Sequence, residues 1–140
     1  MTTPRVDVLP RSRAAVYLRR AEILLKVMEV AEKAGNPDGI VTNAIQSGIA
    51  LGDAFTVSLI QRRCRGRYHS EVLLLVRECP SSSSPEVARL IQHILNRRSE
   101  LLYGSEEVSL RLARELATFA RKLDSIVRST ISLGTQGLRK

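Results

Sequence analysis

A dense cationic cluster at residues 61–69, called the arginine cluster below, lies between two apolar runs of the chain. Its sequence, QRRCRGRYH, holds four arginines and one histidine. Guanidinium groups are permanently charged forks that pair with phosphate oxygens, and histidine exchanges protons near neutral pH. Cleavage of an RNA backbone needs this combination of groups, provided that the fold brings them together.

His69 stands at the predicted junction of two helices, with Arg62, Arg63, Arg65 and Arg67 just before it. The start of a helix presents free backbone N–H groups and a positive dipole end, which attract phosphate. The same positive field should favour the neutral imidazole, which can act as a base. The alternative is a solvated basic loop in which the histidine is incidental, since arginine-rich loops are common.

Asp53 is the second candidate, because it lies within an otherwise apolar helix. Asn43 and Gln46 continue a polar line along the same helix. Buried carboxylates are rare unless they are paired, so Asp53 is expected to meet an arginine. An internal ion pair, for example with Arg19 or Arg20, and a role in the site are equally compatible with the sequence.

Arg97, Arg98 and Tyr103 form a third candidate group, near the end of a predicted helix. They could extend a phosphate-binding surface, although a solvated helix face with a packed tyrosine is the favoured interpretation. The chain has no glycine-rich phosphate loop, no paired carboxylates and no ligand set with metal spacing. The sequence therefore predicts neither a cofactor nor a metal site.

The composition predicts a single domain with a polyanionic partner. The 140 residues carry a net charge of +8 and are 44% hydrophobic but only 4% aromatic, so the core must be aliphatic. A basic excess of this size is typical of proteins that contact nucleic acid or an acidic protein. No stretch of spanning length is free of charge, which predicts a cytoplasmic protein without membrane segments.

Apolar periodicity and turn signals predict an all-α, five-helix up-and-down bundle. The predicted organisation is a flexible N-terminal arm over 1–11, a helical domain over 12–132 and a basic flexible tail over 133–140. The predicted helices cover about 12–34 (with Ser12 as cap), 38–61, 68–78, 84–103 and from 105 onward.

The second predicted helix is apolar on nearly every side and is expected to be central or to lie in a subunit interface. Ala44, Gly48 and Gly52 form a small-residue stripe along it. Glycine costs about 1 kcal/mol in a helix relative to alanine, so the stripe predicts that another backbone comes close.

Three segments resemble the HEPN superfamily (higher eukaryotes and prokaryotes nucleotide-binding), which consists of small five-helix bundles, many of them metal-independent ribonucleases. They are Tyr17–Ala21, Ala44–His69 and Leu95–Gly104. The family's motif is an arginine and a histidine separated by four to six residues. Arg62 and Arg63 both meet this spacing relative to His69.

The resemblance implies a homodimer with a composite active site for metal-independent RNA cleavage, in a toxin or defence nuclease. His69 would act as general base or acid, Arg62 or Arg63 would hold the scissile phosphate, and Asp53 would orient one of them. Arg65, Arg67, Arg97, Arg98 and Tyr103 would bind the nucleic acid. A nucleotidyltransferase-type antitoxin is the implied protein partner.

Two alternatives remain open. In active family members a polar residue such as Asn, Asp or His often follows the motif arginine, whereas Arg63 and Cys64 occupy these positions here. This departure favours a non-catalytic RNA- or nucleotide-binding module on the same fold. The other alternative is a helical interaction protein whose basic face meets an acidic partner protein.

Overall fold

The described part of the chain forms an all-α bundle with a small two-stranded sheet beside it. The structure, a computed structural model, describes residues 6–65, 70–98, 101, 104 and 107–138. The predicted all-α class is confirmed, and the described residues contain five helices. The elements are β1 Val6–Val8, a 3₁₀ turn Arg11–Arg13, α1 Ala14–Lys33, α2 Pro37–Ile60, β2 Arg62–Cys64, α3 Ser70–Glu78, α4 Ser84–Asn96 and α5 Leu110–Leu138.

Helix α2 is the central element, as its all-round apolar character predicts. The side-chain oxygen of Asn36 accepts a hydrogen bond from the Gly39 N–H at 3.2 Å, and Pro37 occupies the first turn, where its missing N–H costs nothing. The other four helices all contact α2. The helix ends at Gln61, whose φ of 55° places it in the left-handed region.

Isoleucine side chains, rather than a second backbone, pack on the small-residue stripe of α2. A Cβ at Gly48 would lie 3.3 Å from Ile94, and one at Gly52 would lie 3.2 Å from both Ile91 and Val72. The prediction of a close backbone approach was therefore wrong. The glycines instead let the branched side chains of α3 and α4 sit close against the central helix.

The N-terminal segment is not simply the loose arm that the sequence predicts. Val6–Val8 pairs antiparallel with Arg62–Cys64, in a register that sets Asp7 opposite Arg63. Just beyond this ladder, the Leu9 N–H donates to the Gln61 carbonyl at 3.0 Å. The first part of the arginine cluster is consequently a strand and not a direct junction between helices, because the left-handed Gln61 turns the chain back toward β1.

Three helix ends also differ from the predicted ones. Helix α1 begins at Ala14, and Ser12 lies in the preceding 3₁₀ turn without capping it. Helix α4 ends at Asn96, earlier than predicted. Helix α5 begins at Leu110, where the Ser109 hydroxyl accepts the Leu112 N–H at 3.1 Å, and it continues to Leu138, through most of the predicted tail.

Candidate functional site

A largely buried ion pair joins the central helix to the arginine cluster. Asp53 lies on α2 and Arg63 on β2, and the Arg63 Nε donates to the Asp53 Oδ2 at 3.1 Å. The side chain of Asp53 is 5% exposed and that of Arg63 is 33% exposed. Across the described ranges, the guanidinium of Arg63 makes no other hydrogen bond. Asp53 therefore anchors one edge of the fork and leaves its terminal nitrogens available.

Burial dominates the electrostatics of Asp53. It raises the pKa of this carboxyl to about 6, against the lowering effect of the charges of Arg63 and Arg20. For Arg63, burial opposes the charge, but the nearby Asp53 carboxylate outweighs it and raises the pKa of the guanidinium. The pair is thus charged above neutral pH, and Asp53 takes up a proton in mildly acidic solution.

The ion pair forms one wall of a cleft between α1 and α2, called the α1–α2 cleft below. Its volume is about 160 Å³. Aliphatic side chains of both helices close it, and its polar lining residues are Tyr17, Arg20, Gln46, Asp53 and Arg63.

The ring of Tyr17 ties two guanidinium groups to the α1–α2 cleft. The Cζ atoms of Arg20 and Arg63 each lie 5.3 Å from the centroid of this ring, within cation–π range. Tyr17 itself is buried, at 8% exposure. The sequence analysis assigned Tyr17 to the apolar stripe of α1 and considered Arg20 only as a partner of Asp53. Their separation of three residues, which places both on one face of a helix, was the available signal.

The structure resolves the open question about the partner of Asp53. The carboxylate bonds to Arg63, while Arg20 acts on it only through its charge. Gln46 lines the same cleft as Asp53, as the predicted polar line along α2 requires.

Arg62 and Arg65 point to different partners from Arg63. Arg62 lies 3.6 Å from Glu78 of α3, and Arg65 lies 3.5 Å from Asp7 of β1. Both arginines are more than half exposed, so these pairs contribute little stability and can open toward another anion. The described arginines of the cluster therefore divide into one anchored residue and two surface residues.

Three predicted site residues, His69, Arg67 and Tyr103, lie outside the described residues. Their predicted roles stay predictions.

Arg97 and Arg98 follow the end of α4, on another part of the bundle. Because Ile91 packs at Gly52 and Ile94 at Gly48, α4 runs antiparallel to α2. With a rise of 1.5 Å per residue, this direction carries the end of α4 about 20 Å along α2 from the arginine cluster. Within one chain, the two arginines therefore do not join Arg63.

Thiol and metal chemistry find little support around the site. The thiol of Cys64 is buried and donates to Glu71 at 3.5 Å, and burial raises the pKa of the Cys79 thiol to about 12. In the described portion of the chain, no three His, Cys, Asp or Glu residues converge as metal ligands. Nor does any described helix combine the length and apolar character needed to cross a membrane.

Comparisons of this chain with protein-family models, with curated proteins and with solved structures give no match. The functional argument consequently depends on the geometry above and on the sequence motif.

Proposed function

We propose that this protein is a metal-independent endoribonuclease of the HEPN type that works as a homodimer with a composite active site. The observation that carries the proposal is the anchoring of Arg63. A buried carboxylate holds its Nε, and its terminal nitrogens keep their donors for a phosphate. A guanidinium that is oriented before substrate binds loses less entropy on binding and stabilises the developing charge more effectively.

The anchoring also supports one motif arginine over the other. Arg62 and Arg63 both have the required spacing to His69. Arg62 makes only an exposed contact with Glu78, whereas Arg63 is held by a buried group. We therefore assign the scissile phosphate to Arg63 and a supporting electrostatic role to Arg62.

In the proposed reaction the ribose 2′-hydroxyl attacks the adjacent phosphorus. His69 removes the proton of this hydroxyl, or protonates the departing 5′-oxygen from the other protomer. The P–O5′ bond breaks, which leaves a 2′,3′-cyclic phosphate and a 5′-hydroxyl. Arg63 offsets the negative charge that builds up on the non-bridging oxygens.

An exposed apolar stripe on α1 supports the dimer. Val16, Ile23, Val27 and Val30 follow one another at separations of seven, four and three residues, and each is at least 38% exposed. This spacing is that of a seam between two packed helices. The α1–α2 cleft opens beside this stripe. Antiparallel pairing about a two-fold axis would place both clefts on the same side of the dimer, as a composite site requires.

The charge of the chain supports the proposed partners. A net charge of +8 favours RNA, and it also suits an acidic surface on a nucleotidyltransferase-type antitoxin in the cytoplasm. These partners belong to the proposal as the motif implies them.

The decisive experiment is RNA cleavage by the purified protein in EDTA, with analysis of the product ends. We expect the wild type to leave 2′,3′-cyclic phosphates, and we expect His69→Ala and Arg63→Ala to lose cleavage by at least a hundredfold. Arg111→Ala, which removes an exposed arginine of α5, is the charge-matched control and should retain activity. Absence of cleavage of tRNA, rRNA and mRNA by the wild type would overturn the proposal.

A non-catalytic RNA-binding module is the second candidate. The residues that follow Arg62 and Arg63 depart from the active motif, and Arg62 and Arg65 already pair with acids of the same chain. In that case RNA binding would survive His69→Ala, and the wild type would leave the RNA intact.

A further inference from the structure

The α1–α2 cleft combines charges that no residue of the sequence motif explains. Arg20 lies outside the arginine cluster, yet its guanidinium is held against the same tyrosine ring as that of Arg63. Tyr17 is almost fully buried, so this ring is a fixed platform for both groups. Two guanidinium groups are thus tied to one ring in one cleft.

The charges of the cleft suit an anion with a single negative charge. Arg20 and Arg63 contribute two positive charges, and Asp53 contributes one negative charge when it is ionised. The remaining charge of +1 is neutralised by one phosphodiester group. Asp53 is buried and bonded to the Nε of Arg63, which leaves the arginine donors, rather than the carboxylate, for such a ligand.

The size of the cleft limits what it can hold. Pockets that enclose drug-sized ligands have volumes of about 300–1,000 Å³. The α1–α2 cleft has about 160 Å³, which suits a phosphodiester group with part of a ribose rather than a whole nucleotide.

We propose that Arg20 is a second phosphate-binding residue, which joins Arg63 in holding one phosphodiester group of RNA in the α1–α2 cleft, and that Tyr17 positions both guanidinium groups. This inference rests on the proposed function in taking RNA as the ligand, but it does not require that the RNA be cleaved.

Arg19 supplies a matched control for Arg20. The two arginines are neighbours on α1 and both are exposed, but Arg19 does not line the cleft. The substitutions Arg20→Gln and Arg19→Gln therefore change the net charge equally, and they differ in whether the cleft loses a donor.

The experiment measures the affinity for a fluorescent, fully 2′-O-methylated RNA oligonucleotide, which cannot be cleaved through a 2′-hydroxyl. Fluorescence anisotropy is followed at several salt concentrations. We expect Arg20→Gln to raise the Kd about tenfold and to reduce the salt dependence by about one phosphate contact. Arg19→Gln should raise the Kd less than about twofold at physiological salt, because exposed charges far from the ligand are screened. Tyr17→Leu should weaken binding by an intermediate factor.

Equal effects of Arg20→Gln and Arg19→Gln would overturn the inference, since general charge would then explain binding. So would a wild type that does not bind the oligonucleotide. An oligonucleotide with a neutral methylphosphonate backbone should abolish the difference between wild type and Arg20→Gln, and persistence of that difference would also contradict a phosphate contact. Thermal melting of each variant shows whether it is folded. Failure of cleavage with these binding effects intact would sink the nuclease and leave the phosphate site standing.

Discussion

Two mixed-charge regions flank helix α1, and they use their charges differently. One is the α1–α2 cleft. The other, called the α1–α5 groove, has a volume of about 420 Å³ and is lined by acids and bases of α1 and α5. In the groove most partners come from the same helix one turn away, as in Lys26–Glu22. In the cleft, Asp53 meets an arginine ten residues later, on a different element.

The difference in burial decides what each region can do. The side chains of the Lys26–Glu22 pair are 73% and 55% exposed, so water screens them and the pair is worth at most about 0.5 kcal/mol. Asp53 is 5% exposed, so its charge depends on Arg63. The groove neutralises itself with local pairs, whereas the cleft holds an oriented, cationic donor. Only the second arrangement prepares a site for an anion.

Arg63→Ala should break this contrast most strongly. It leaves the buried Asp53 without its bonded partner, and we expect a loss of about 3 kcal/mol in the free energy of unfolding at pH 7.5. Urea denaturation measures this loss. The double variant Arg63→Ala with Asp53→Asn should recover most of the stability and none of the cleavage activity. A loss below about 0.5 kcal/mol for the single variant would show that the pair is as weak as those in the groove.

The pH dependence of stability should separate the buried acid from the exposed ones. Because the folded state raises the pKa of Asp53 from 3.8 to about 6, the folded chain binds this proton more tightly than the unfolded chain does. The stabilisation from this group is therefore complete below about pH 4 and is lost as the pH rises through 6.

Asp53→Asn isolates that contribution. The unfolding free energy of this variant minus that of the wild type should increase by about 3 kcal/mol between pH 4 and pH 7. Denaturation at intervals of half a pH unit tests the expectation. A difference that stays constant with pH would refute the raised pKa of Asp53.

Removal of the surface acids should make Arg62 and Arg65 behave more like free cations. Asp7→Asn and Glu78→Gln each release one arginine from a contact at 3.5–3.6 Å. We expect each change to tighten binding of the 2′-O-methyl RNA two- to fivefold at low salt, with the gain fading as salt increases. Glu22→Gln in the groove changes the net charge equally and should tighten binding less. A gain as large for Glu22→Gln would show that position does not matter.

Lys33→Ala should have the smallest effect. Its contact with Glu29 is one turn away on α1, and both side chains are more than half exposed. We expect a change below about 0.5 kcal/mol in the free energy of unfolding and no change in RNA affinity. A loss above 1 kcal/mol by urea denaturation would mean that the groove pairs form a coupled network.

Local signals in the chain were sufficient for the helices and insufficient for the partners of the charged side chains. The all-round apolar α2 was predicted to be central, and it is, because no other position buries every face of a helix. The strand at Arg62–Cys64 was not predicted, because it forms only through pairing with Val6–Val8, more than fifty residues earlier. A three-residue strand has no periodicity of its own that would reveal it.

The sequence by itself determined the all-α class, the central place of α2, the excess of positive charge and the need of Asp53 for an arginine, since each of these follows from composition, from periodicity or from the cost of burying a charge. Only the tertiary structure decided which arginine Asp53 holds, and that Tyr17 and Arg20 share its cleft. Those choices depend on where the left-handed Gln61 sends the chain and on how α1 packs against α2. Such distances join residues far apart in the sequence, and local patterns do not encode them.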